Sequence, residues 1–161
     1  MEAFSQWLSH TEVSLFFQEQ LWFLSFLQTI HILAVAMVGS SVLMIDLRIL
    51  GVVGSSQTMR QVAHRFVPWL WAGLVALTVT AIPLIIAEPR RDLTNWTFQL
   101  KMAMIAAGIA ITVGFQRSIR RDAAAWDKSP NGQLTTALAI IKLVLWVAIA
   151  VSGRWIAYTW H

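Results

Sequence analysis

The sequence predicts an all-α transmembrane four-helix bundle with antiparallel neighbours and a short interfacial helix at the amino end. Two observations predict it. Hydrophobic residues make up 57% of the 161 positions and charged residues only 12%, about half the charge of a soluble domain. The apolar residues are also gathered into four runs, each near the roughly 17–25 residues that a helix needs to cross a bilayer. A core of this size cannot hide so much apolar surface from water, so a lipid bilayer is the expected solvent. The length suits a single domain over residues 1–161 and is too short for two.

The amino-terminal segment comes first. Phe4, Trp7 and Leu8 resemble one face of an interfacial amphipathic helix. Ser9 and Glu12 fit a capping box, which predicts a helix starting near His10. Glu2 stands where a secretory signal would carry basic residues, and no cleavable signal is expected.

The first apolar run covers residues 21–47, and Gly51 and Gly54 are its stop signals. The second covers 66–87; Pro68 is expected to bend its start, and Glu88-Pro89 closes it. The third covers 98–115. The turn Ser129-Pro130-Asn131-Gly132 leads into the fourth, over 134–158. Short connections make sequential helices antiparallel. Ala36-xxx-Ser40, Ala106-xxx-Ala110, Ala110-xxx-Gly114 and Ala148-xxx-Ser152 are small-residue pairs that favour close helix packing and leave an oligomer open.

Basic residues set the expected orientation. Arg48, Arg60 and Arg65 flank the first loop, and Arg117, Arg120, Arg121 and Lys128 flank the third. The second loop balances Arg90 and Arg91 with Glu88 and Asp92, and the amino end carries Glu2, Glu12 and Glu19. Both termini are therefore expected outside, with two basic loops in the cytoplasm. Trp22, Trp96, Trp155 and Trp160 then form an outer aromatic belt, and Trp69, Trp71 and Trp126 an inner one. The net charge of +4 sits in these loops and does not suggest nucleic acid.

Ionisable residues inside apolar helices are costly and so mark function. Four stand out: His31, Lys101, Lys142 and Arg154. Counted from each helix midpoint at a rise of about 1.5 Å per residue, His31 lies roughly 4–5 Å outside the midplane, Lys101 about 9 Å and Arg154 about 12 Å. Lys142 lies about 6 Å on the inner side. Thr80 matches the depth of His31, Pro83 leaves the carbonyl of Val79 without its helical donor, and Gln28 sits one turn above His31. These residues predict a polar pocket in the outer half. A neutral imidazole at that depth suits haem iron as an axial ligand. Arg154, or Arg90 and Arg91, would meet the propionates, and Lys101 would neutralise a propionate or serve as a second iron ligand. The bland alternative has His31 hydrogen-bonded to a neighbouring helix while Lys101 and Arg154 snorkel outward.

Other residues fit chemistry less well. His64 falls roughly 20 Å from His31 along the bundle, too far to share an iron. His10 and His161 are expected at the outer surface. Asp46 is expected to pair with Arg60 or Arg65, and Lys142 to snorkel inward or pair with Asp46. Met37, Met44, Met102 and Met104 offer thioethers that suit copper, but with no cysteine in the chain and no clustered histidine they read as packing. Motifs for zinc hydrolysis, a nucleophile elbow or a phosphate loop are absent.

The stretches Gln28-Thr29-Ile30-His31-Ile32, Ile45-Asp46-Leu47-Arg48-Ile49-Leu50-Gly51, Phe98-Gln99-Leu100-Lys101-Met102 and Ser152-Gly153-Arg154-Trp155-Ile156-Ala157-Tyr158 resemble a bacterial family of small four-helix membrane proteins with a domain of unknown function. The resemblance covers nearly the whole chain and implies a multi-pass protein of the bacterial inner membrane. More distantly, the helix-one histidine and the Phe-x-x-Lys heading helix three are similar to the J-type protoporphyrinogen oxidases and the membrane domain of the D-type copper-resistance proteins. The oxidase resemblance implies haem b on His31 and Lys101. The chain lacks that family's tyrosine and proline-arginine run after helix one, so haem binding carries over further than oxidase catalysis. The functions to weigh are therefore a haem b protein that passes electrons to a quinone or redox partner or anchors a redox complex, a small transporter or permease component, and a non-catalytic structural membrane subunit.

Overall fold

Each long helix forms where an apolar run meets a local start or stop signal. A computed structural model of the chain describes residues 2–53, 56–89, 93–122, 126 and 132–155. Among them lie two short helices, α1 (Glu2–Ser9) and α2 (Glu12–Glu19), and four long ones: α3 (Leu21–Ile49), α4 (Met59–Ala87), α5 (Trp96–Arg121) and α6 (Gln133–Trp155). No strand occurs among the described residues. All four long helices are long and apolar enough to cross a membrane. Only 17–33% of the most apolar window of each is buried inside the protein. The remaining apolar surface faces outward, as a bilayer allows and water does not.

Local chemistry explains the boundaries. Gly51 at φ 73° ends α3 in a Schellman motif. Its N–H donates to the Arg48 carbonyl and the N–H of Val52 to the Leu47 carbonyl. Gly54, the other expected stop, lies outside the described residues. The α4 helix starts at Met59, earlier than the expected Phe66, because Thr58 and Gln61 form a complete capping box. It then runs through both Pro68 and Pro83. Asn95 caps α5 through the N–H of Thr97. The expected box at Ser9 and Glu12 does not form. Thr11 caps α2 instead, accepting from the Ser14 N–H, and Ser9 ends α1. Residues 129–131 of the expected turn before α6 lie outside the described residues.

The four long helices pair as two antiparallel hairpins. In the first, Gly73 of α4 meets α3 so closely that a Cβ there would fall 2.6 Å from Val38 Cγ2. In the second, Gly108 of α5 meets Leu145 and Trp146 of α6. The hairpins join mainly along α3 and α6, whereas α4 and α5 touch sparsely. The α2 helix packs on the first hairpin, and Ser14 Oγ donates to the Ile86 carbonyl at 2.7 Å. Burial in α1 and α2 is inverted relative to a soluble protein. Ser5 and Ser14 face inward, while Phe4, Trp7, Leu15 and Phe16 face out, consistent with a helix pair bathed in lipid.

The hydrophobic core is lopsided. Val38, Val42, Ile45, Leu70, Phe115 and Ala139 belong to one buried cluster, built from the end of α3, the start of α4, the end of α5 and the start of α6. We call this the Asp46 half and the opposite one the His31 half. In the His31 half of the four spans, the well-buried side chains among the described residues reduce to Ala34, Thr80, Ala87 and Ile149.

Candidate functional site

Each half of the bundle holds one polar layer. The layer in the His31 half draws on all four helices. His31 of α3 is half-buried, and its Nδ1 lies 2.7 Å from Thr80 Oγ1 of α4. The Thr80 hydroxyl has one proton and directs it at the Ala76 carbonyl, 2.7 Å away. Its oxygen therefore accepts from the imidazole Nδ1–H, and the lone pair of the neutral ring resides on Nε2. Among the described residues Nε2 makes no hydrogen bond. Lys101 of α5 is half-buried too, and its ammonium lies within electrostatic range of His31. It packs against Gly153 of α6, where a Cβ would fall 3.0 Å from Lys101 Nζ. Gly153 thus leaves the room that the ammonium occupies.

The structure brings His31, Thr80 and Lys101 together, three of the five residues singled out for the outer pocket. Gln28 is exposed on α3 and makes no hydrogen bond among the described residues. Arg154 follows Gly153 at the end of α6, but its side chain lies outside the described residues, as do Arg90, Arg91 and His161. His64 is exposed near the start of α4, in a cleft with Thr58, Arg60 and Gln61, at the far end of the bundle from His31. His10 lines an open cleft at the α1–α2 turn with Gln6, Trp7 and Thr11. No three His, Cys, Asp or Glu side chains converge among the described residues. The thioether of Met37 is a packing group, its methyl lying 3.2 Å from where a Gly73 Cβ would stand.

The layer in the Asp46 half overturns the pairing expected with Arg60 or Arg65 and takes the other expected alternative, pairing with Lys142. Asp46 does not reach Arg60 or Arg65, which are exposed. It pairs with Lys142 of α6, Nζ to Oδ1 at 2.6 Å, and the two side chains are 0% and 1% exposed respectively. Beyond this contact neither carboxylate oxygen accepts a hydrogen bond from a described residue. The ammonium also stands over the Phe115 ring, 4.8 Å from its centroid, where the ring's quadrupole attracts it. The physical reason for the choice of partner is depth. An arginine at a membrane surface has water, whereas a lysine in mid-bundle has only the anion that another helix brings. A second polar tie, Trp71 Nε1 donating to Gln116 Oε1 at 3.1 Å, joins α4 to α5 in the same half.

A family model of unknown function, DUF6644, matches residues 19–159. The chain belongs to that family. The matched stretch takes in all four long helices and both polar layers, and α1 with most of α2 precedes it. No curated protein and no solved structure matches the chain.

Proposed function

We propose that this DUF6644 protein binds haem b in the His31 half of its bundle and serves electron transfer, either directly or as the membrane anchor of a redox complex. The observation that carries the reading is the His31–Thr80 hydrogen bond. A ligating histidine works best when its other ring nitrogen is held by an acceptor, which fixes both tautomer and ring orientation. Thr80 does this for Nδ1, and Nε2 is left as the ligating atom. The donor set therefore fits haem. Lys101 would supply positive charge for the propionates or, with its amine deprotonated, a second ligand for the iron, and Arg154 follows Gly153 in the sequence as a further cation. The surrounding hydrocarbon excludes water from the imidazole and strengthens each of these interactions. Haem held there would supply one-electron chemistry toward a quinone or a protein partner. The likeness of His31 and Lys101 to haem-binding positions of the J-type oxidases supports the same assignment. In this reading the protein lies in the bacterial inner membrane with the His31 half outward, because the basic loops cluster at the other end.

The alternatives ask for other features. A transporter or permease component needs a polar path joining the two layers, and the fully buried Val38, Val42 and Leu70 occupy the packed half instead. A structural subunit needs no polar layer around His31.

The test is a dithionite-reduced minus oxidised absorbance spectrum of protein purified from haem-replete cells. We expect b-type bands that His31→Ala abolishes while the helical circular dichroism persists. Thr80→Val, which removes the acceptor for Nδ1, should weaken haem retention without eliminating it. Protein that is colourless as isolated and takes up no added haem overturns the proposal.

A further inference from the structure

The lopsided core has a mechanical consequence. Two polar ties cross between the hairpins in the Asp46 half: Asp46–Lys142 from α3 to α6 and Trp71–Gln116 from α4 to α5. The buried cluster that fills the bundle lies in the same half. Parting the hairpins there would separate a fully desolvated ion pair and open a packed core, and both are costly in hydrocarbon. Parting them in the His31 half would disturb few buried side chains. The surface so uncovered would also meet lipid rather than water, so no hydrophobic penalty opposes it.

The seam between α4 and α5 is where parting costs least, because these helices touch sparsely. From Trp71, the same face of α4 continues through Val75, Thr78 and Ile82 toward the His31 half, and all three are exposed. Across the seam Met102, about four turns from Gln116 on nearly the same face of α5, is exposed as well. The first hairpin is reinforced by α2, which Ser14 fastens to the end of α4 and which packs on both α3 and α4. The His31 layer draws on both helices that line this seam, through Thr80 of α4 and Lys101 of α5.

We infer that ligand reaches the His31 layer sideways out of the bilayer, between α4 and α5, as the two hairpins spread about a clasp formed by Asp46–Lys142 and Trp71–Gln116. This rests on the reading of the His31 layer as a ligand site and specifies the class of ligand. It is a planar, mostly apolar molecule already dissolved in the membrane, with an anionic edge for Lys101 and an electron-pair acceptor for His31 Nε2. A water-soluble ion has no reason to take this route.

The chain contains no cysteine, so paired spin labels can be placed without background. Ile82→Cys with Met102→Cys marks the His31 half, and Arg65→Cys with Arg117→Cys marks the Asp46 half; all four positions are exposed. Pulsed electron–electron distance measurements on the full chain in lipid nanodiscs are then made with and without added hemin. The expected result is a broad or two-population distance distribution for the Ile82/Met102 pair that narrows on hemin addition, beside a narrow and unchanged one for Arg65/Arg117. Equally narrow distributions at both ends, with and without hemin, overturn the inference, and so do equally broad ones. A broad Ile82/Met102 distribution in protein that binds no hemin upholds the one-sided opening and sinks the haem assignment instead, so the two failures are distinguishable.

Discussion

In the Asp46 half an ammonium and a carboxylate are sealed together with almost no exposed surface. In the His31 half an imidazole and a second ammonium remain half-exposed among few well-buried neighbours. Both halves carry charge or a titratable ring at membrane depth, where unpaired groups are expensive. The first answers with an internal counter-ion and close packing, leaving no room for a ligand. The second fixes one nitrogen of the ring with Thr80, leaves the other without a hydrogen-bond partner among the described residues, and leaves the surroundings loosely filled. A sealed ion pair holds helices together, whereas a ring with one nitrogen held and loosely filled surroundings suits the ligand role proposed for it. The same bundle therefore separates the layer that holds it from the layer proposed to act.

Substitutions in the clasp should show the largest effect on stability. Lys142→Ala alone strands the Asp46 carboxylate in an apolar core, and loss of one partner of a buried pair typically costs about 3–5 kcal/mol. We expect unfolding in mixed micelles to shift by an amount in that range. Asp46→Leu combined with Lys142→Met should recover most of the loss, because an apolar pair of similar volume needs no desolvation. A single Lys142→Ala variant as stable as wild type would remove the distinction between the halves. His31→Ala, by contrast, should leave stability within about 1 kcal/mol, since it removes one hydrogen bond from a half-exposed site.

A smaller effect is expected where the hairpins are built, near the boundary of the two halves. Gly73→Ala places a methyl 2.6 Å from Val38 Cγ2, 3.2 Å from the Met37 methyl and 3.4 Å from the Ala34 carbonyl oxygen. The valine is branched and buried, so α3 and α4 must move apart, at a cost of about 1–3 kcal/mol. Thermal unfolding followed by circular dichroism measures it. Because His31 and Thr80 bridge the same two helices, haem retention should fall along with stability. Retention that is unchanged while stability drops would mean that the His31 end of the hairpin moves independently of Gly73.

These features differ in how far the sequence reveals them. The spans are legible because twenty apolar residues in a row have few other uses, and Gly51 because only a residue tolerant of positive φ ends a helix in that way. The start of α4 was legible too, in Thr58-x-x-Gln61, but it lies among polar residues outside the apolar run and is missed when apolar length alone sets the boundary. The depth match of His31 and Thr80 follows from counting rise along two helices joined by a short loop. The pairing of Asp46 with Lys142 is legible only as one alternative beside snorkelling, because the choice depends on α3 packing against α6, which no spacing along the chain encodes. Gln28 illustrates the same limit. Its position one turn from His31 places it near the same face, but where that face ends depends on neighbours that one helix cannot specify.

The smallest stability effect, and the one that best isolates the His31 layer, is expected from Gly153→Ala. The new methyl would stand 3.0 Å from Lys101 Nζ and 3.6 Å from its Cε. Both atoms are at the flexible end of a side chain, so the ammonium can swing aside and stability should change by less than about 0.5 kcal/mol. The displaced charge cannot then sit where it sits now, beside α6 and within electrostatic range of His31. If Lys101 supplies a counter-charge or a second ligand to haem, the variant should retain the b-type spectrum through His31 but show a lowered midpoint potential or an altered Soret position, because a cation near the iron favours the reduced state. Gly153→Ser adds comparable bulk with a hydroxyl and should behave the same way if space is what matters. A Gly153→Ala protein with wild-type stability, spectrum and potential would show that the ammonium's place beside Gly153 is incidental, leaving His31 and Thr80 alone to define the site.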